Sequence, residues 1–181
     1  MKIILASASP RRKEILTDAG YDIEVIPADV EEVTLQKADE TVKYNALLKA
    51  RHIASLYPNR TIVAADTVVS LNNRILGKPK DMKQAVEMLK SLSSKTHEVY
   101  TGVAVFVNGE EKNWITTSTV TFKKLNDEDI QKYFSLCNPL DKAGAYNINE
   151  HSNIIIEKFE GSYTNIMGLP KEEITEVLNQ D

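Results

Sequence analysis

The sequence predicts an α/β protein built on a mixed sheet, and three features lead there. Short apolar or β-branched runs alternate with stretches of helical period along most of the chain. Asn108-Gly109 joins two long strand-like runs and signals an antiparallel hairpin near the middle. No clean strand–helix–strand repeat is present, so a wholly parallel sheet is not expected.

The elements follow in order. Lys2–Ala6 (K-I-I-L-A) is long enough for a buried strand and too short for a helix. Ser9 can cap the next helix, Pro10 suits its first position, and Gly20 can stop it. Tyr21–Ile26 alternates as a strand does. Between Asp39 and Leu56 the apolar positions Val42, Ala46, Leu47, Ala50, Ile53 and Ala54 keep the helical period until Pro58. Thr61–Val69, rich in β-branched residues, reads as a central strand, and Asn72-Asn73 as a tight turn. Met82, Ala85, Val86, Leu89 and Leu92 outline another amphipathic helix. Strands are expected over Glu98–Val107 and Lys112–Phe122, then a helix after Asn126 with Asp127, Glu128 and Asp129 in its first turn. Asn153–Phe159 reads as a strand. Pro170 opens a last helix with Ile174, Val177 and Leu178 on one face. No Pro/Gly-rich linker interrupts this order, so residues 1–181 are expected to form one domain, with two lobes around a cleft.

Composition narrows the function classes. Of 181 residues, 22 are Lys or Arg and 26 are Asp or Glu, for a net charge of −4. Such a balance argues against a broad grip on nucleic acid, so an anionic partner must be small and held by a local cluster. Cys137 is the only cysteine, which excludes a disulfide framework and a thiolate metal site. His52, His97 and His151 show no zinc spacing. No apolar run approaches a membrane span, and Met1 leads into a strand rather than a signal peptide. A soluble cytoplasmic protein is expected.

Several places can carry chemistry. Ser7-Ala8-Ser9-Pro10-Arg11-Arg12-Lys13 puts two serines, two arginines and a lysine at a helix start, a ready phosphate site. The same residues also suit a capped, solvated helix start. The turn is not a Walker loop, since its glycines are absent. Asp66 stands in an otherwise apolar strand, where a general base or metal ligand makes sense; a strand-end Asp bonded to a turn is the alternative. Lys78, in Gly77-Lys78-Pro79, is a phosphate ligand or a solvated surface lysine. Lys49 is either a ligand or part of a solvated helix face. Glu31-Glu32 is a metal-binding pair or a polar loop. Asp141-Lys142-Ala143-Gly144-Ala145-Tyr146, followed by Asn147-Ile148-Asn149, reads as a functional loop, as does Glu160–Asn165 with Gly168-Leu169-Pro170, since neither keeps a regular period.

Taken in order, these segments resemble the Maf (septum-formation-inhibitor-like) family of nucleoside triphosphate pyrophosphatases. The resemblance is carried by L-A-S-A-S-P-R-R-K-E-I-L from Leu5, the acid pair Glu31-Glu32, N-A-L-L-K-A, A-D-T-V-V and L-G-K-P. It continues through S-S-K-T-H-E-V-Y-T-G-V, D-K-A-G-A-Y and E-G-S-Y-T-N-I-M-G-L-P. It implies an elongated mixed sheet flanked by helices with a central cleft, similar to the inosine-triphosphate-pyrophosphatase fold. It also implies hydrolysis of a nucleoside triphosphate to monophosphate and pyrophosphate with a divalent cation, Mg or Mn. The A-D-T and A-Y-x-I motifs are similar to the branch acting on dTTP and UTP, with a house-cleaning role. That branch reads I-Q where this chain has Ile148-Asn149.

On this resemblance Asp66 is the expected proton acceptor for the attacking water. Glu32, with Glu31 and Asp66, is expected to hold the metal. Arg11, Arg12, Lys49 and Lys78 would clamp the triphosphate, Ser7 and Ser9 would orient its oxygens, and Asp141 and Lys142 would join the substrate site. Thr67 and Asn149 would read the base. The alternative is a nucleotide-binding regulator of cell division without turnover. No nucleic acid or membrane partner is expected, and exposed hairpin edges leave room for a homodimer.

Overall fold

The computed structural model describes residues 1–180. β1 (Lys2–Leu5) turns through Ala6–Ser9 into α1 (Pro10–Asp18), whose N-cap Ser9 accepts from the Arg12 backbone N–H. β2 (Asp22–Val25) and the long α2 (Ala38–Leu56) precede the central strand β3 (Thr61–Leu71). Asn72 and Asn73 both take positive φ, which fits a two-residue hairpin turn into β4 (Arg74–Leu76). The turn is readable in the sequence; a strand of three residues is too short to show a period.

α3 (Met82–Leu92) leads to the hairpin of β5 (Thr96–Val107) and β6 (Glu110–Phe122), joined by Asn108 and Gly109, again both at positive φ. α4 (Asp127–Leu136) starts with a reciprocal capping box between Asn126 and Asp129. β7 (Ile156–Glu160) begins later than expected, because Ser152–Ile154 winds into a 3-10 turn. α5 (Tyr163–Met167) is a five-residue helix where the sequence suggests a loop, and α6 (Lys171–Leu178) closes the chain. Among the described residues no helix is long and apolar enough to cross a membrane.

The strands make one mixed sheet in the order β2-β1-β3-β5-β6-β7, with β4 paired to β3. β1 is parallel to β2 and β3, while β3, β5, β6 and β7 run antiparallel. Alternate residues of β3 face opposite sides. Ile62 and Ala64 pack under α2 with Ala46, Ala50 and Ile53. Val63 and Ala65 pack on the other side with Leu16 of α1 and Ile174 and Leu178 of α6. Farther along, Val69 and Leu71 belong to a separate core with Leu89, Phe122 and Tyr133. The long strands β3, β5 and β6 thus carry clusters on both faces near β1 and a further cluster toward β4 and β7.

At one point α2 lies directly on the sheet. A Cβ at Gly102 of β5 would fall 2.3 Å from the Val42 carbonyl oxygen of α2, a contact no side chain can make. We expect Gly102→Ala to lower stability at the upper end of the roughly 1–3 kcal/mol typical of overpacking, or beyond it. Urea unfolding checks this, and an unchanged midpoint would show that α2 is free to lift.

Candidate functional site

β1 pairs with β3 only as far as Val63, and β4 begins pairing on the same side only at Val69. Residues 64–68 of β3 therefore have no strand neighbour there, although β5 covers their other edge. A cleft of about 820 Å³ occupies this gap, within the roughly 300–1,000 Å³ of small-molecule sites. Its walls are the β1–α1 turn, the face of α2, the Gly77-Lys78 turn, the 141–150 loop and the end of α5.

The α2 side carries the carboxylates. Thr41, Asn45 and Lys49 recur every four residues as a buried polar stripe beside the apolar stripe of that helix. Lys49, only 6% exposed, places Nζ 2.8 Å from Glu32 Oε1, 3.6 Å from Asp66 Oδ1 and 3.0 Å from the Ala65 carbonyl oxygen. The last contact answers the unpaired edge of β3. Asn45 donates to Asp66 Oδ2 at 2.9 Å, and its amide also exchanges two hydrogen bonds with the Val33 backbone. One amide thus fixes Asp66 and holds the loop that carries Glu32. Lys49 is no solvated helix face, and Asp66 bonds to a helix rather than to a turn.

The opposite side is built on Arg12. Its Nε donates to the Gly168 carbonyl oxygen at 2.8 Å, Nη1 to Ser7 Oγ at 3.1 Å and Nη2 to Thr67 Oγ1 at 3.0 Å. Burial pulls the guanidinium below its ordinary pKa, against the charge of Asp66, which raises it. Arg11 Nε donates to the Met167 carbonyl oxygen, so both arginines hold carbonyls at the end of α5. Thr67 also bonds to Thr101 Oγ1 at 2.9 Å. Ser7 and Ser9 line the same wall. Lys78 lines the cleft, is exposed, and has no ion-pair partner among the described residues.

In the 141–150 loop, Lys142 is buried and donates to the Asn138 carbonyl oxygen at 2.6 Å and to Asp141 Oδ1 at 2.8 Å. That hydrogen bond holds the Asp141 carboxyl below its usual range. Tyr146 lines the cleft with its hydroxyl turned into the core, 2.7 Å from Nε2 of the buried His97. Asn147 also lines the cleft.

Two expected residues lie elsewhere. Glu31 is exposed and does not line the cleft, so the carboxylates that converge are Glu32 and Asp66. Asn149 is exposed and outside the cleft as well, because the loop turns there and sends Asn147 inward instead. At ion-pair distance Glu32 and Asp66 meet one ammonium, that of Lys49, so the pair carries one negative charge in excess of it, with Arg12 acting on both from farther away. Two carboxylates with that excess suit Mg or Mn, hard cations that need only one or two protein oxygens beside substrate phosphates. Among the described residues no group of three or more His, Cys, Asp or Glu gathers as a denser metal site.

Asn45, Thr101, His97, Tyr146 and Asn147 are not in the set expected from sequence. Asn45 has a readable signal in its spacing of four from Lys49 and Thr41 on one helix, and Tyr146 and Asn147 lie in a loop that reads as functional without singling them out.

A family model described as Maf-like protein matches residues 2–181. The dTTP/UTP pyrophosphatase of Bacillus cereus (strain Q1) is 41% identical over 99% of this chain and 95% of its own length. That of Dictyoglomus turgidum (strain DSM 6724 / Z-1310) is 42% identical, with the same two coverages. A crystal structure of a Vibrio cholerae protein is a weaker likeness, 14% identical with a TM-score of 0.41 over 72% of this chain and 67% of that one.

Burial lowers the His97 pKa to about 4 from its ordinary 6.5. Between those values the unfolded chain takes up a proton that the folded chain refuses, so stability falls as pH falls. The loss from pH 7 to 5 should be about 2 kcal/mol. Glu24, Glu111 and Asp141, held low by hydrogen bonds from Arg60, Arg51 and Lys142, act mainly below that window. Urea unfolding at both pH values should show this slope in the wild type and lose it in His97→Gln.

Proposed function

This chain belongs to the Maf family, and from that premise we propose that it hydrolyses dTTP or UTP to the monophosphate and pyrophosphate. The observation that carries the reading is Asp66, a buried carboxylate fixed by Asn45 and Lys49 on a cleft that Arg11, Arg12 and Lys78 also line. The barrier to attack on a triphosphate is largely charge repulsion, so cations and a base are what the reaction needs.

Lys78 and Arg11 bind the triphosphate oxygens, with the two Arg12 N–H groups that Ser7, Thr67 and Gly168 leave unused. Asp66 accepts the proton of a water whose oxygen bonds to the α phosphorus. The bond from that phosphorus to the bridging oxygen breaks, and pyrophosphate leaves with the electron pair. Lys49 stabilises the carboxylate before transfer and the charge on the phosphoryl oxygens afterwards. Glu32 and Asp66 would hold Mg or Mn, which neutralises phosphate charge when bound. A protein that only bound nucleotide would gain little from these two carboxylates, whose charge repels a polyanion.

Pyrophosphate release from a panel of nucleotides, with magnesium and then with EDTA, tests the reading. Activity confined to pyrimidine triphosphates and lost in EDTA is expected; no release from any nucleotide overturns it. Asp66→Asn should lower kcat by roughly 10²–10⁴-fold while nucleotide binding and the unfolding midpoint persist. A near-normal rate would remove Asp66 from the proton transfer. Lys78→Ala should raise KM by roughly tenfold, the value of one charge-assisted hydrogen bond, without changing Tm. Arg12→Ala should lower kcat/KM and Tm together, since its guanidinium also ties three segments of the fold.

A further inference from the structure

We infer that Asn147 reads the base, its amide nitrogen donating to a carbonyl oxygen of the pyrimidine; this rests on the pyrimidine triphosphate reading above. Asn147 is 5% exposed and lines the cleft. Its backbone is held twice by one hydroxyl. The Asn147 N–H donates to Tyr133 Oη at 2.9 Å, and that hydroxyl donates to the Asn147 carbonyl oxygen at 3.2 Å. Tyr133 stands on α4, fully buried. The preceding residue, Tyr146, is anchored by His97. Residue 147 therefore has little freedom to turn away from the cleft.

The side chain is oriented as well. The backbone N–H of Asn149 donates to Asn147 Oδ1 in a long bond of 3.5 Å. In that contact Oδ1 faces Asn149, and Nδ2 is the end left over. Among the described residues Nδ2 donates to no protein atom. A donor on an otherwise buried residue of the cleft wall, bonded to no protein atom and open to the cleft, is free to meet an acceptor on the ligand.

Uracil and thymine offer such an acceptor at O4, where cytosine carries an amino group. A fixed donor bonds the first two and meets another donor in the third. Sites built around a specific hydrogen bond reject analogues lacking its partner more strongly than apolar pockets reject a change of size. Asn149 contributes its backbone N–H to this arrangement and not its side chain.

The test is kcat/KM for dTTP, UTP and CTP on the wild type, Asn147→Ala, Asn147→Asp, Asn149→Ala and Tyr133→Phe, each with its unfolding midpoint. The wild type should prefer UTP to CTP, and Asn147→Ala should cut that ratio by roughly tenfold or more. Asn147→Asp, the same shape with an acceptor in place of the donor, should move the preference toward CTP. Tyr133→Phe, which removes only the positioning hydroxyl, should lower the ratio in the same direction as Asn147→Ala. An unchanged ratio in both Asn147 variants overturns the inference, as does one that collapses only in Asn149→Ala or a wild type without preference. If the wild type cleaves no pyrimidine triphosphate at all, the underlying reading fails instead.

Discussion

The site depends on a helix lying closer to the sheet than side chains normally allow. α2 reaches β5 at Gly102, and Gly102 is the register partner of Asp66 on β3. The absence of a Cβ at one position thus lowers the helix beside the buried carboxylate of the cleft. From Val42, successive helical turns bring Asn45 and Lys49 along the same face, each turn rising about 5.4 Å. Lifting the helix would open the 2.9 Å bond from Asn45 to Asp66 and the 3.0 Å bond from Lys49 to the Ala65 carbonyl oxygen. A buried ammonium is tolerable only while such oxygens surround it, since unpaired burial costs several kcal/mol. The packing at Gly102 and the charge network at Asp66 are therefore one constraint.

A second consequence follows from the gap between β1 and β4. Leaving residues 64–68 without a neighbour exposes β3 backbone that a continuous sheet would satisfy. Lys49 covers part of it, and Arg12 bridges the walls. The partners of its guanidinium lie 5, 55 and 156 residues away in sequence, at Ser7, Thr67 and Gly168. That side chain replaces the missing strand as the tie between the β1–α1 turn, β3 and the end of α5. Arg11 and Lys78 carry fewer protein contacts and are freer than Arg12 to meet a ligand.

What the sequence reveals follows from the range of each interaction. Helix periods, the Ser9 cap and the Asn108-Gly109 turn are local, and they place α1, α2, α3 and the β5–β6 hairpin within a few residues. β4 and α5 are too short for any period to declare them. Asp66 is legible because a carboxylate in an apolar strand is costly. Gly102 gives no such sign, since its role is set by Val42, distant in sequence. The 141–150 loop shows the limit most clearly. A family motif points to residue 149, yet the hydroxyl of Tyr133 turns the backbone so that residue 147 faces the cleft. No property of Ala-Tyr-Asn-Ile-Asn alone encodes that turn.

The charges of the cleft explain how an acidic protein can receive a polyanion. Lys49 and Lys142 are already paired, to Glu32 and Asp66 in one case and to Asp141 in the other. Paired in advance, they stay in place when water leaves and lose little freedom on binding. The same pairing spends much of their attraction for phosphate, so in the proposed reaction Lys78 and the free edges of Arg11 and Arg12 would draw the ligand in. A triphosphate drawn to that wall brings its charge toward Glu32 and Asp66, whose negative charge exceeds that of Lys49. The repulsion is relieved only if a further positive charge arrives with the nucleotide. A divalent cation carried by the phosphates would meet that need, turning two carboxylates that repel free nucleotide into ligands for the metal-bound form.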